Sequence, residues 1–74
     1  MSENEDITNN FAINIRALRR KHKLTQKQLA EKLSKKESAV RMWELNKNEP
    51  SLTTLIKLAE IFEVTLDELV GVNA

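Results

Sequence analysis

The chain has 74 residues, no cysteine and a formal net charge of +1. A chain this short forms one domain and buries only about 60% of the surface that it exposes when unfolded, which leaves little room for a large catalytic cleft. Without cysteine, neither disulfide bonds nor thiolate metal sites can stabilise the fold, so hydrophobic packing must do so.

The N-terminal segment does not have the pattern of a targeting signal. Its first ten residues, MSENEDITNN, are acidic and polar, whereas a signal peptide is basic and then apolar. No apolar run approaches the roughly 18 residues that span a membrane. We therefore expect a soluble cytoplasmic protein that does not bind a membrane.

Charge is divided unevenly along the chain. Residues 16–47 contain 11 Lys and Arg against three acidic residues, a net charge of +8, and the remainder contains one Lys against eight acidic residues, a net charge of −7. This asymmetry suits a molecule that turns one face toward a polyanion. Lysine is also common on solvated helix surfaces, so charge alone does not show whether these residues contact nucleic acid or only solvent.

A single glycine and a single proline predict an all-α chain, in which five helices are joined by short turns. The first helix is expected from about Thr8 to Lys21, on an apolar stripe whose members are four and three residues apart. The stripe consists of Phe11, Ile15 and Leu18. Residues 1–7 are expected to be a disordered acidic tail and residues 71–74 a C-terminal tail, so the folded domain covers residues 8–70.

The second and third helices are predicted from capping signals and apolar anchors. Thr25 is the expected N-cap of the second helix, and Gln28, three residues on, completes a capping box. A polar turn then leads to the third helix, expected from roughly Lys36 to Leu45 and anchored by Val40 and Trp43.

Two further helices follow Pro50. Ser51 is the expected N-cap of the fourth helix, which has the strongest apolar stripe in the chain. This stripe consists of Leu52, Leu55, Ile56, Ala59 and Phe62. The fifth helix is expected to begin after Thr65, whose capping-box partner is Glu68, and to end before Gly71.

The residue types that catalysis requires are missing. The sequence has one histidine, no cysteine, no glycine-rich phosphate loop and no His-x-x-x-His pair. Metal, thiol and triad chemistry therefore each lack a component, and His22 is interpreted as a solvent-exposed turn residue. We expect no enzymatic activity, no metal, no cofactor and no small-molecule site.

The segment from Leu24 to Ser51 has the spacing of a helix-turn-helix, in which a short helix, a turn of about three residues and a second helix follow one another. Ala30 supplies the small residue needed where the two helices cross, and Val40 and Trp43 supply the apolar side of the second helix. A helical hairpin in another small bundle would have the same spacing, so the motif alone does not identify a function.

Beyond this spacing, the chain resembles the helix-turn-helix domains of the phage repressor and Cro type, including the bacterial xenobiotic-response regulators. The likeness covers residues 11–70. It is carried by I-R-A-L-R-R-x-x-x-L-T-Q-x-x-L-A at 15–30, W-E at 43–44, P-S-L at 50–52, L-x-K-L-A at 55–59 and V-T-L-D-E-L at 64–69. The resemblance implies a five-helix lambda-repressor-like DNA-binding domain whose helix-turn-helix is formed by helices two and three.

The resemblance also implies roles for individual residues. The third helix would enter the major groove of double-stranded DNA and turn its first residues toward the base edges. The implied base-facing residues are Lys36, Glu37, Ser38, Arg41 and Met42. The implied phosphate contacts are Gln26, Lys35 and Lys47. Arg19, late in the first helix, is expected to form a structural salt bridge with Glu44.

The chain departs from the family pattern at two turns. The family usually has a glycine, an apolar residue and a Ser or Thr cap between its second and third helices, where this chain has Ser-Lys-Lys at 34–36. A capping box between Ser34 and Glu37 would start the third helix one or two residues early and shift the base-facing positions. The usual Asn-Gly after the Trp-Glu pair is replaced by Leu45 and Asn46, of which Asn46 can adopt the left-handed conformation.

We therefore expect a bacterial or phage transcriptional regulator that binds a short palindromic operator and acts as a repressor. Lys and Arg would supply most of the affinity and the third helix the choice of sequence. A domain of this size buries too little surface to bind tightly alone, so a homodimer is expected. The candidate dimer-interface residues are Phe62, Leu69, Val70 and Val72.

The alternative is a protein-interaction module or antirepressor that has kept the fold and lost DNA readout. Glu37, Met42 and Leu45 on the expected reading face favour this alternative. DNA binding that weakens steeply with salt would distinguish the two functions.

Overall fold

The structure is a computed structural model that describes residues 3–71, with side chains from Asn10 onward. These residues form five helices and no strand. The helices are α1 (Glu3–Lys21), α2 (Gln26–Lys32), α3 (Glu37–Glu44), α4 (Leu52–Phe62) and α5 (Leu66–Val70). The predicted all-α class is confirmed for this part of the chain. No helix within it is both long enough and apolar enough to cross a bilayer.

All five helices contribute to one hydrophobic core. α2 packs against α3, while α1 packs against both α3 and α5, and α4 packs against α5. The buried apolar residues are Phe11, Ala12, Ile15, Leu29, Ala30, Leu33, Val40, Trp43, Leu58, Ala59, Phe62 and Leu69. Ala30 and Trp43, which the sequence places at the crossing of α2 and α3, are both part of this core.

α1 begins at Glu3, five residues before the predicted start at Thr8. No glycine or proline lies between these two positions. Extending a helix that has already formed fixes only one residue for each hydrogen bond gained, so the backbone continues N-terminally at little cost. The expected disordered tail of residues 1–7 is therefore helical from residue 3, and residues 1 and 2 lie outside the described part.

The structure contains the hydrogen bonds predicted for the N-caps of α2, α4 and α5. Thr25 accepts from the backbone N–H of Gln28 at 3.0 Å, and the Gln28 side chain accepts from the backbone N–H of Thr25 at 2.8 Å. Ser51 caps α4 by accepting from Thr54. Thr65 and Glu68 form the second capping box, at 3.0 Å in both directions. The capping predictions are confirmed.

The capping box of α5 depends on an ionised carboxylate. The backbone N–H of Thr65 donates to Glu68 and, together with the Thr65 side chain, lowers the pKa of the Glu68 carboxyl. A lowered folded-state pKa means that this stabilisation is complete above the ordinary carboxyl pKa and is lost as the pH falls through the lowered value. The carboxylate half of this capping box therefore weakens in acid, whereas the bond from the Glu68 backbone N–H to the Thr65 hydroxyl does not depend on the ionisation of Glu68.

α5 is also held to α1 by its C-terminal end. The Asn14 side-chain amide donates to the backbone carbonyls of Glu68 at 3.3 Å and Leu69 at 3.2 Å. Gly71, at φ 71°, lies so close to α1 that a Cβ there would be 2.9 Å from Asn14 Nδ2 and 3.1 Å from Asn10 Cβ. Glycine is favoured at this position by the backbone angle together with the short distance to α1.

The predicted stripe of α4 is confirmed at Ala59 and Phe62, which are buried, and at Leu55, which is half-buried, but it is wrong at two positions. Leu52 and Ile56 are 68% and 44% exposed, whereas Thr54 and Leu58 are buried. Burial of Thr54 is possible because its hydroxyl accepts a hydrogen bond from the Ser51 hydroxyl at 3.0 Å. α4 is apolar around most of its circumference, so periodicity could not identify the side that packs.

Two of the four candidate dimer-interface residues are core residues. Phe62 is 3% exposed and Leu69 is fully buried. They pack inside one copy of the chain, so they cannot contact a second copy, and this part of the interface prediction is wrong. Val70 is half-buried. Val72, with most of the expected tail of residues 71–74, lies outside the described residues.

Left-handed residues turn the chain at the end of each helix. Lys23, Ser34, Asn46 and Glu63 have φ between 56° and 58°, and Gly71 has φ 71°. After each of the first four, the next backbone N–H donates to a carbonyl five residues back, at 2.8 to 3.0 Å, which is the bond of a Schellman motif. Sharp turns therefore occur without glycine, and each such residue costs about 1 to 2 kcal/mol.

Replacing Trp43 by Ala should lower the free energy of unfolding by about 3 to 5 kcal/mol, because it removes the largest side chain of the core and leaves a cavity. Urea unfolding should be followed by circular dichroism, since the substitution removes the only tryptophan. A loss below about 1 kcal/mol, the range of surface substitutions, would show that Trp43 does not belong to the core.

Replacing Glu63 by Gly should raise the free energy of unfolding by about 0.5 to 1 kcal/mol, because glycine adopts the left-handed conformation without steric cost. The melting temperature should rise by about 4 to 8 °C per kcal/mol in a domain of this size. Glu60→Gly is the matched control: it makes the same change inside α4 and should lower stability by about 1 kcal/mol. A fall in stability for both variants would contradict this account.

Candidate nucleic-acid interface

α3 has one side in the core and the opposite side in solvent. Val40 and Trp43 are buried on the inner side. The five residues that the resemblance assigns to base edges are all on the outer side, where four are exposed and Met42 is half-buried. The exposed four are Lys36, Glu37, Ser38 and Arg41.

The first turn of α3 is set by Ser34 and Lys36. Ser34 has φ 56° and takes the left-handed position that a glycine usually occupies, while Lys36 is the N-cap at φ −81° and ψ 150°. The hypothesis of a Ser34–Glu37 capping box is wrong, because Ser34 turns the chain away two residues before the cap. Lys36 makes no side-chain cap hydrogen bond, since an ammonium group has no acceptor. α3 therefore begins at Glu37.

A polar network fixes the C-terminal end of α3. Arg19 of α1 donates to Glu44 through two nitrogens, Nε to Oε2 at 2.6 Å and Nη2 to Oε1 at 3.1 Å. Gln26, the first residue of α2, donates its amide to the same Oε1 at 3.1 Å. The Arg19 and Glu44 side chains are only 12% and 5% exposed. We call Arg19, Gln26 and Glu44 the anchoring network.

The anchoring network joins three segments of the chain. Arg19 also donates through Nη1 to the backbone carbonyl of Leu24 at 2.8 Å, so one guanidinium connects α1, the turn before α2 and the end of α3. The hydrogen bond to Glu44 raises the pKa of Arg19, an effect that burial partly opposes. Arg19 stays charged, and both side-chain oxygens of Glu44 accept hydrogen bonds from within the domain.

The expected phosphate contacts surround α3. Lys35 lies in the turn before α3 and Lys47 in the turn after it, and both side chains are exposed. Gln26 is half-buried; its side-chain amide has two hydrogens, and the bond to Glu44 uses one of them. The structure thus brings Gln26 to the C-terminal end of α3.

Sequence reasoning did not single out two arginines near α3. Arg16 and Arg20, on adjacent turns of α1, line a groove together with Arg41 of α3. Their four-residue spacing on one helix face was visible in the sequence. The contact with α3 was not visible, because it depends on how α1 crosses that helix.

The match to known families follows this geometry. A family model described as "Helix-turn-helix" matches residues 15–69, which covers the C-terminal part of α1, all of α2, α3 and α4, and α5 except its last residue. The chain belongs to the helix-turn-helix family, of the Cro/C1 type. The predicted family and the lambda-repressor-like fold class are confirmed.

Relatives of this helix-turn-helix chain are named as transcriptional regulators. The HTH-type regulators YobD and YqaE of Bacillus subtilis are 38% and 39% identical to it, each over 59 residues and 80% of this chain. The HTH-type transcriptional activator BcrR of Enterococcus faecalis is 38% identical over 61 residues and 82% of this chain. No solved structure matches the chain.

The chain spans only part of each relative. It covers 53% of YobD, 51% of YqaE and 30% of BcrR. The shared part is the helix-turn-helix domain. Family membership and these regulators agree with the expectation that the chain is not an enzyme.

Replacing Arg19 or Glu44 alone by Met should lower the free energy of unfolding by about 2 to 3 kcal/mol, because each change leaves a charged, largely buried partner without its hydrogen bonds. The double variant should lose less than the sum of the two, with a coupling energy of about 1 to 3 kcal/mol. Urea unfolding of all four proteins gives this cycle. Small, additive losses would show that the pair has no structural role.

Proposed function

We propose that the chain binds double-stranded DNA in a sequence-specific manner and regulates transcription by placing α3 in the major groove. The observation that carries this proposal is the exposed outer side of α3 on a helix whose inner side is fixed. Val40 and Trp43 hold that helix from within, and the anchoring network holds its last turn. A reading helix fixed before binding loses little conformational entropy when it docks.

Positive charge around α3 supports the same function. Residues 16–47, from the second half of α1 to the turn after α3, carry the net charge of +8. Lys and Arg that neutralise phosphates release counterions, and this release supplies most of the affinity for any DNA sequence. Lys35 and Lys47, at the two ends of α3, hold phosphates on either side of the helix.

The preference for particular DNA bases is assigned to residues on the outer side of α3. Glu37 can accept a hydrogen bond from the amino group of cytosine, Ser38 can donate or accept, and Met42 can pack on a thymine methyl. Lys36, at the N-cap, is placed to reach a guanine. These contacts discriminate between bases, whereas the flanking lysines do not.

A two-fold symmetric operator bound by two copies fits the small size of the domain, because one module of this kind buries too little DNA surface for tight binding. Leu52 and Ile56, one turn apart and both exposed on α4, replace Phe62 and Leu69 as the apolar contact between copies. A protein that is bound to such an operator keeps other proteins off the same stretch of DNA without having to contact them. We therefore assign the chain as a repressor.

A second candidate function, protein interaction without DNA readout, has one specific observation in its favour. Ile13 of α1 and Leu45 after α3 are 59% and 57% exposed and line one groove of about 440 Å³. Exposed apolar pairs of this kind favour contact with protein surfaces. The affinity of DNA binding and the affinity of protein binding depend differently on salt concentration. A titration at several salt concentrations therefore separates the two functions.

The direct test is selection of bound duplexes from a random DNA pool, followed by fluorescence anisotropy titration at several salt concentrations. DNA binding through phosphates predicts that the logarithm of the association constant falls linearly with the logarithm of salt, by about 0.9 for each phosphate contacted. Recovery of no preferred sequence, together with salt-independent affinity, would overturn the proposed function.

Replacing Lys47 by Ala should weaken binding to all duplexes alike and lower the salt slope by about one, because it removes a phosphate contact. Replacing Ser38 by Ala should instead change the preferred base at one position of each half-site, by about 1 to 3 kcal/mol. Lys57→Ala, on α4, is the matched charge control and should change neither quantity. Identical behaviour of the Lys47 and Lys57 variants would contradict the assignment of Lys47.

A further inference from the structure

A shallow groove of about 320 Å³ separates α1 from the outer side of α3. Arg16 and Arg20 of α1 line one wall, and Arg41 of α3 lines the other. Gln26, at the start of α2, also lines it. The groove is therefore continuous with the surface to which the proposed function assigns DNA.

The groove has an uncompensated positive charge. Arg16, Arg20 and Arg41 are exposed, and Arg19–Glu44 is the one ion pair among residues 10–71. Glu44, the acidic residue that lines the groove, already accepts hydrogen bonds on both oxygens from within the anchoring network. An anion that enters the groove thus meets three exposed guanidinium groups, and the one carboxyl group that lines the groove is already hydrogen-bonded to Arg19 and Gln26.

This arrangement is unfavourable for the isolated domain. Arg16 and Arg20 are four residues apart on one face of α1, a spacing at which like charges destabilise a helix. Guanidinium groups present paired N–H donors that match the oxygens of a phosphate and also repel one another when no anion is present. A bound anion would convert this repulsion into attraction.

We propose that Arg16, Arg20 and Arg41 form a clamp for DNA backbone phosphates that lie outside the base pairs read by α3. This inference rests on the proposed function. DNA is favoured over an acidic protein because the groove adjoins Gln26 and includes an α3 residue, so a strand that lies along α3 continues into it. Arg41 is thereby assigned to the backbone and not to a base edge.

The clamp makes a prediction about the length of DNA required. Its contacts carry no sequence information, yet they add affinity only when the duplex extends past the selected site. The recognition site defined by base preference is therefore shorter than the DNA that the domain contacts.

The test compares Arg16→Gln/Arg20→Gln with a control, Lys32→Gln/Lys57→Gln, which removes the same two charges from other exposed positions. Anisotropy titrations use the selected duplex with long flanks and the same duplex trimmed to the edge of the selected site. On the long duplex the arginine variant should bind about 10-fold more weakly and show a salt slope smaller by about 2. On the trimmed duplex it should bind like the parent, and the control should bind like the parent on both.

Two results would overturn the clamp. An arginine variant that matches the parent on the long duplex shows that the groove does not contact phosphates. Equal losses of affinity for the arginine variant and the control show that the loss comes from the lower net charge and not from the groove. In both cases the parent still binds the selected duplex, so the proposed function stands. A parent that binds no duplex overturns both proposals.

Folding is checked on the same proteins. Removing the two arginines should leave the melting temperature unchanged or raise it, because a like-charged pair on α1 is lost. Arg16→Lys/Arg20→Lys keeps the charge without the paired donors, and it should restore the salt slope while recovering only part of the affinity. A lower melting temperature for the glutamine variant combined with full affinity for the lysine variant would assign the arginines a structural role instead.

Discussion

The hydrogen bonds between Arg19, Glu44 and Gln26 determine how the outer side of α3 is oriented. Apolar packing of Val40 and Trp43 holds α3 against the core, but such packing is non-directional and tolerates rotation and sliding. A two-nitrogen contact from one guanidinium to one carboxylate is directional, and Gln26 extends it to α2. A buried ion pair adds little net stability compared with apolar side chains. We infer that its contribution here is the orientation of α3, which the proposed contact with base edges needs more than it needs stability.

Much of the fold could be predicted from the sequence because its signals are local. The caps at Thr25 and Thr65 each join residues three apart, so the sequence contains both partners. The face of α4 could not be predicted, because Leu52 and Ile56 are as apolar as the residues that pack. Which of them is buried depends on how α5 and the rest of the core pack against α4, and that arrangement is a property of the whole domain.

The candidate site could be predicted where a residue's place on one helix decides its exposure. The outer residues of α3 follow from the burial of Val40 and Trp43 on the opposite side. The start of α3 was left open, because Ser34 serves equally as a cap or as a left-handed turn residue until the backbone is known. The groove beside Arg41 was not predicted at all, since its walls come from segments more than 20 residues apart in sequence.

The left-handed residues at the helix ends have a consequence for how this domain can change. Lys23, Ser34 and Glu63 each occupy a conformation that favours glycine, so each turn stores a small strain that one substitution can release. Released strain gives tolerance to mutation: a stabilised background can carry changes in α3 that would otherwise leave the chain unfolded. Under the proposed function, new sequence preferences are thus accessible to this small domain through its turns, at positions separate from α3.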